Sequence, residues 1–191
     1  STGVTTLGVE IGPKQLELLQ ELSPRPGVVA LLVNPTNPAM ADVQSRNLLM
    51  AAGMLGLQLR VLYASTEREV ETAFARTMEL GAGALVIGND LFFNSRLPHL
   101  AALTLRHRLP AVHQFREFAA AGGLMSYGGS VADGYRGCGV YAGGILKGDR
   151  PGELPIQQRT KVEMVINLKT AAALGISFSL ALLGRPDEVI E

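Results

Sequence analysis

Val28-Val29-Ala30-Leu31-Leu32-Val33-Asn34-Pro35-Thr36-Asn37 is the stretch that decides the fold: six apolar residues without interruption, then a break into polar residues, then a helical pattern. The same order returns in Leu59-Arg60-Val61-Leu62-Tyr63 before Ser65-Thr66, in Ala84-Leu85-Val86-Ile87 before Asn89-Asp90, and in Ala111-Val112 before His113-Gln114. Strands alternating with helices at this spacing predict a parallel sheet with helices on both faces, an α/β architecture of three layers. In such sheets ligands bind outside the carboxyl ends of the strands, where the polar residues of all four breaks collect.

The segments between the strands carry helix signals. Asn37-Pro38 reads as a cap followed by a first-turn proline, opening a helix to about Leu55 with Met40, Val43, Leu48, Met50, Ala51 and Met54 as core candidates. Thr66-Glu67-Arg68-Glu69 fits a capping box, and the helix behind it carries Val70, Ala73, Phe74, Thr77, Met78 and Leu80 until Gly81 ends it. A further helix is expected from near Ser95 to Arg108, and an earlier short one from Pro13 through Leu22. Arg116-Glu117-Phe118 starts a short helix stopped by Gly122-Gly123, and Leu124-Met125-Ser126-Tyr127 reads as a fifth strand. Ser130 and Asp133 cap a helix to Lys147 that contains Gly134, Gly137, Gly139, Gly143 and Gly144. Each interior glycine costs a helix about 0.5–1 kcal/mol against alanine, so this helix expects a close neighbour. Residues 156–166 alternate as a half-exposed strand, a short helix follows around Leu168 to Leu174, and the tail reads as a closing turn with an acidic end.

Composition excludes several classes. At 191 residues, 47% hydrophobic and 18% charged, the chain has the make-up of a globular protein. Seventeen basic and seventeen acidic residues cancel without a basic block, so the electrostatic footprint of a nucleic-acid binder is missing. The one cysteine, Cys138, offers neither an internal disulfide nor a thiolate cluster, and the scattered His99, His107 and His113 predict no metal site. No phosphate loop, dinucleotide fingerprint, nucleophile elbow or zinc-protease motif occurs, so no catalytic residue and no cofactor are assigned.

What remains is a ring of neutral hydrogen-bonding groups with one acid at the strand ends: Asn34, Thr36, Ser65, Asn89, Asp90, Gln114, Ser126 and Tyr127. Such a set suits reversible capture of a small polar molecule, the acid pairing with an ammonium and the amides with a carboxylate or carbonyl. Asp90 reads equally well as the cap of the following helix, and Asn34 before Pro35 as a turn residue. Phe92 and Phe93 beside Asp90 read better as packing under the next helix than as pocket walls.

With these residues in hand, the chain resembles the substrate-binding proteins of ABC importers with the type I periplasmic-binding fold, in the subgroup associated with tryptophan or tyrosine uptake. The likeness spans essentially the whole chain and rests on Lys14-Gln15-Leu16-Glu17-Leu18-Leu19, VALLVNPTNP, Asn89 to Phe93, REFAAAGGLMSYG from Arg116 to Gly128, ILKGDRPGELPIQQRTKVEMVINLKTAAALGI from Ile145 to Ile176, and the closing DEVIE. It implies Rossmann-like lobes joined by hinge strands that close on a ligand, an extracytoplasmic or periplasmic setting, and delivery to an ABC permease in the membrane. Asn34, Asn89, Asp90, Gln114 and Tyr127 are the ligand contacts it implies.

The resemblance also places the first lobe crossing near Gly3-Val4-Thr5, so that most of the first lobe lies outside these residues. Residues 1–27 are then a crossing segment and lead-in helix, and 28–122 the second lobe. Residues 123–152 form a crossing strand with a helix that belongs against the first lobe, and 153–191 are the return strand and closing helices. Self-association through the 130–148 helix or the N-terminal segment is expected. Two other readings stand beside this one: an extracytoplasmic sensory domain of the same fold, and a small flavodoxin-like cofactor-binding enzyme.

Overall fold

The computed structural model describes residues 2–6, 11–22, 27–159 and 161–191. Its elements are β1 (Gly3–Thr6), α1 (Gly12–Leu22), β2 (Val28–Val33), α2 (Pro38–Met54), β3 (Gln58–Tyr63), α3 (Glu67–Glu79), β4 (Ala82–Ile87), α4 (Leu91–Asn94) and α5 (Leu97–Arg106). The chain continues through β5 (Ala111–His113), α6 (Arg116–Ala120), β6 (Met125–Gly129), α7 (Val131–Leu146), β7 (Ile156–Arg159), β8 (Val162–Asn167), α8 (Leu168–Leu174), α9 (Leu180–Leu183) and β9 (Glu188–Ile190). Seven strands build the main sheet in the order β3-β2-β4-β5-β6-β8-β9, while β1 and β7 pair in a separate two-stranded sheet.

The apolar runs explain the centre of the sheet. β2 lies between β3 and β4 with both faces covered, so five of its six residues are buried and neither face tolerates a polar side chain. Period-two alternation then sorts its residues into two cores. Val29, Leu31 and Val33 join Leu16, Leu19, Leu48, Val86, Val112 and Met125 under α1 and α2. Ala30 and Leu32 join Phe74, Leu85, Ile87, Phe93, Leu100 and Phe118 under α3, α5 and α6. Phe74, Phe93 and Phe118 are fully buried, each contributing about 1.5–3 kcal/mol relative to exposure.

Most local signals act as expected. Thr66 accepts from the Glu69 amide at 3.2 Å while the Glu69 carboxylate takes the Thr66 amide at 3.2 Å, completing the capping box. Gly81 and Gly122 adopt φ of 62° and 101° where α3 and α6 stop, a region open to glycine at little cost.

Several details differ from the sequence reading. The sheet is not wholly parallel: β8 runs antiparallel to β6, and β9 then runs parallel to β8. The expected strand over 156–166 is two strands in different sheets, β7 beside β1 and β8 in the main sheet. Because β8 is interior, Met164, Val165 and Ile166 are all buried and its alternation does not mark a half-exposed face. The acidic tail is a strand, β9, at the sheet edge rather than a turn, and α5, the helix expected from near Ser95 to Arg108, is preceded by a separate short helix, α4, that the sequence reading does not include. Met50, Met54 and Met78 are 65%, 89% and 54% exposed, because the buried stripe of α2 runs through Ala41, Gln44, Leu48, Ala51 and Ala52 and that of α3 through Val70, Ala73, Phe74 and Thr77.

α7 packs along β1 and forms in spite of its glycines. Of its residues only Gly137 is buried, while Tyr135, Val140 and Leu146 are 75%, 66% and 88% exposed.

Candidate functional site

The carboxyl ends of β2, β4 and β5 converge, and the polar residues that leave them interlock. Asn34 is buried, and its Nδ2 donates to Asp90 Oδ1 at 2.7 Å. The same side chain turns its Oδ1 back to accept from the Thr36 amide at 3.0 Å and the Thr36 hydroxyl at 2.8 Å, an Asx turn that folds the loop after β2. Asp90 accepts from the Phe92 amide at 2.9 Å, which caps α4. Its second oxygen accepts from Asn37 Nδ2 at 3.2 Å, so Asn37, expected to cap α2 with its side chain, instead donates across to the carboxylate.

A second cluster hangs from α2. Gln44 Oε1 accepts from the Asn89 amide at 2.6 Å and Gln44 Nε2 donates to the Asn89 carbonyl at 3.2 Å, a pairing that imitates a ladder between strands. Fixed in this way, Asn89 presents Oδ1 to Asn94 Nδ2 at 3.1 Å. Gln44 was not singled out in the sequence, although a polar residue inside the apolar stripe Ala41, Leu48, Ala51 is a legible signal.

Gln114 is buried with its Oε1 unpaired, and it shares a cavity of about 10 Å³ with Gln15, Gln44, Gly88 and Asn89. That is room for about one water. Tyr127 does not join this group: its ring is half-buried against the core under α1 and α2, and its carbonyl accepts from Gln15 Nε2 at 2.9 Å. Of the five predicted contacts the structure therefore brings Asn34, Asn89 and Asp90 together, sets Gln114 below them, and leaves Tyr127 in the packing layer.

On the other face of the same edge, His113 is fully buried, with the Phe115 and Phe118 ring centroids at 5.5 Å and 6.0 Å. Its Nδ1 accepts from the Phe115 amide at 3.1 Å and its Nε2 has no partner. Loss of water around the imidazolium pushes the pKa of His113 down to about 3, so the ring is neutral at physiological pH. Its register partner on β6, Ser126, carries a buried hydroxyl that is also unpaired.

The large opening at this edge is a cleft of about 460 Å³ lined by Leu91, Asn94, Leu97, Pro98, Phe115, Glu117, Val131 and Tyr135. α4 and the start of α5 form one wall, the β5–α6 junction a second, and the first turns of α7 a third. Phe93 lies wholly in the core, in line with its packing role, whereas Phe92 stacks under the Arg96 guanidinium at 4.1 Å. None of the residues assigned from sequence lines the cleft directly; Asn89 reaches it through Asn94. Among the described residues no three His, Cys, Asp or Glu side chains gather as a metal would need, and no helix is long and apolar enough to cross a membrane.

Comparison with known proteins gives this geometry a family. Comparison with curated proteins returns no match. Among solved structures, a conserved domain protein from Vibrio cholerae superposes with a TM-score of 0.86 at 23% identity, covering 98% of this chain and 62% of that one. An ABC domain from Streptococcus pneumoniae in complex with L-Trp gives 0.82 at 22%, covering 99% and 63%. A ligand-free, open substrate-binding protein with adhesive properties from Clostridium difficile gives 0.68 at 18%, covering 100% and 62%. The fold is thus that of type I periplasmic-binding proteins, and the chain spans somewhat under two thirds of the length of these relatives. A family model for ABC transporter substrate binding protein matches residues 2–190, and the chain belongs to that family.

Proposed function

We propose that this chain is the ligand-capturing lobe of an ABC importer's solute-binding component, taking up a small molecule in the 460 Å³ cleft and presenting it to a membrane permease. The observation that carries this reading is the position of the cleft: it opens at the carboxyl edge of the sheet, where strand-end loops of an α/β sheet gather side chains around a ligand. Its volume suits a molecule of amino-acid size, and the L-Trp bound to the Streptococcus pneumoniae relative favours an aromatic amino acid. The role is binding rather than catalysis, in an extracytoplasmic compartment.

In this proposal Asn34 and Asp90 clamp the two loops that shape the rim, Asn89 orients Asn94 at the cleft floor, and Gln114 and Tyr127 support the layer behind it. The outward apolar residues of α7, Tyr135, Val140 and Leu146, are the surface that the first lobe covers when the two close around ligand.

A thermal-shift screen of amino acids tests the reading, run on this chain and on the chain joined to a first lobe. A ligand that binds only the native state raises its apparent stability by RT ln(1 + [L]/Kd), about 2.7 kcal/mol at a hundredfold excess over Kd. The expected outcome is a strong shift for one amino-acid class in the two-lobe protein and a weak one in this chain alone. Equal shifts in both would mean that the cleft needs no second wall.

A further inference from the structure

We infer that this lobe recognises the ammonium end of its ligand, with Glu117 as the acceptor and Phe115 and Tyr135 as ring walls, and that it disfavours a carboxylate at the same place. The inference rests on the proposed function, in that it takes the 460 Å³ cleft to be the solute site.

The argument is an inventory of donors and acceptors. Among the eight residues lining the cleft, Leu91, Leu97, Pro98 and Val131 offer apolar surface and Phe115 and Tyr135 offer aromatic rings. The polar remainder is Asn94 and Glu117, with the Tyr135 hydroxyl at the exposed mouth. Asn94 Nδ2 donates one of its two N–H groups to Asn89 Oδ1 at 3.1 Å, and Asn89 is itself locked by Gln44. The network therefore fixes which way the amide points, and it leaves Asn94 Oδ1 buried without a partner. That oxygen is shut off from the open cleft, so Asn94 shapes the wall and the charge in the lining is that of Glu117.

Glu117 adds a full negative charge. Among the described residues no hydrogen bond or ion pair engages its carboxylate, and its field adds to the Glu188 hydrogen bond and charge that raise the pKa of the neighbouring Arg116. The arginines of α6 and of the junction between α4 and α5 are committed elsewhere. Arg116 is held by both oxygens of Glu188, at 2.6 Å and 2.5 Å. Arg96 bonds Glu67 at 3.3 Å and stacks on Phe92. A carboxylate entering the cleft would meet the like charge of Glu117, whereas an ammonium meets a carboxylate and two rings whose faces favour cations. The substrate class this selects is a primary ammonium on an aromatic or extended apolar body.

Three probes separate the possibilities: tryptamine, L-tryptophan and indole-3-propionate, titrated into the 191-residue chain and its Glu117→Gln variant while the Phe115 and Tyr135 ring resonances are followed. Tryptamine is expected to bind at least tenfold more tightly than indole-3-propionate. Glu117→Gln, at an exposed position that leaves the melting temperature unchanged, is expected to weaken tryptamine about three- to fivefold, the size of a partly screened charge pair, and to leave indole-3-propionate unchanged or improved. L-Tryptophan is expected to fall between the two. Indole-3-propionate binding as tightly as tryptamine, or tryptamine indifferent to Glu117→Gln, overturns the ammonium assignment while the cleft stands as the solute site. Ring resonances unmoved by all three probes overturn the cleft itself.

Discussion

The Asn34 side-chain amide donates to Asp90 Oδ1 at 2.7 Å, tying the loop after β2 to the loop after β4. Both residues sit where a ligand-binding role was expected, yet each is saturated by the other and by its own loop: Asn34 by Thr36, Asp90 by Asn37 and Phe92. Their contribution to binding is the shape of the edge, since two strands 56 residues apart in sequence are held at one separation.

Asp90→Ala removes the α4 cap and strands a buried Asn34 amide together. Loss of a cap costs about 0.5–2 kcal/mol and an unpaired buried donor about 1–3 kcal/mol. Urea denaturation is expected to show a loss of about 2–3 kcal/mol, and Asp90→Asn, which keeps an oxygen for the cap, a smaller one. Equal stability of wild type and Asp90→Ala would show that the loops are set by packing alone.

His113 predicts an acid-sensitive fold. Its pKa is held down to about 3 in the folded chain and returns to about 6.5 when unfolded, so the unfolded state binds the extra proton between those values. Stability conferred by the neutral imidazole is complete above pH 6.5 and falls as pH drops toward 3, by up to about 1.4 kcal/mol per pH unit. His113→Asn is expected to be less stable than wild type at pH 7 but to lose less between pH 7 and pH 5. Parallel losses in the two proteins would assign the acid sensitivity to carboxylates.

Gly88 marks a close approach at the end of β4. A Cβ there would stand 2.7 Å from the Leu32 carbonyl oxygen and 3.0 Å from Gln44 Oε1, so Gly88→Ala must displace a backbone or break the Gln44–Asn89 pairing. Overpacking of this kind costs about 1–3 kcal/mol. Chemical denaturation should find the variant destabilised by that amount, with the Asn94 side-chain amide resonance shifted because Asn89 no longer orients it.

The exposed apolar residues of α7 predict self-association of the isolated chain. Val140 and Leu146 are 66% and 88% exposed, and covering them with a second copy removes apolar surface from water. Sedimentation velocity at high concentration is expected to show dimers, and Val140→Lys with Leu146→Lys is expected to restore a monomer without lowering the melting temperature. A monomeric wild type under the same conditions would remove this idea.

Much of the fold was legible because it is local. The uninterrupted apolar run Val28 to Val33 dictates a strand buried on both faces, the Thr66–Glu69 box fixes a helix start within three residues, and Gly81 and Gly122 supply backbone angles at helix ends that other residues resist. The order of those signals along the chain was enough for an α/β sheet with its polar breaks at one edge. The expectations that failed depended on neighbours: Met50 and Met54 look like core residues until α1 takes the other stripe of α2, and the 156–166 strand looks continuous until β1 and β6 claim its two halves.

The candidate site divides in the same way. By itself the sequence determined which residues leave the strand ends, because that follows from where apolar runs stop. Only the tertiary structure decided which of them are free. Asn34 and Asp90 engage each other across 56 positions of sequence, while Asn94, Phe115, Glu117 and Tyr135, drawn from three segments without a shared motif, come together around the cleft. Hydrogen-bonding capacity belongs to a residue and can be read one position at a time, but whether that capacity is spent depends on distances that exist only once the chain has folded.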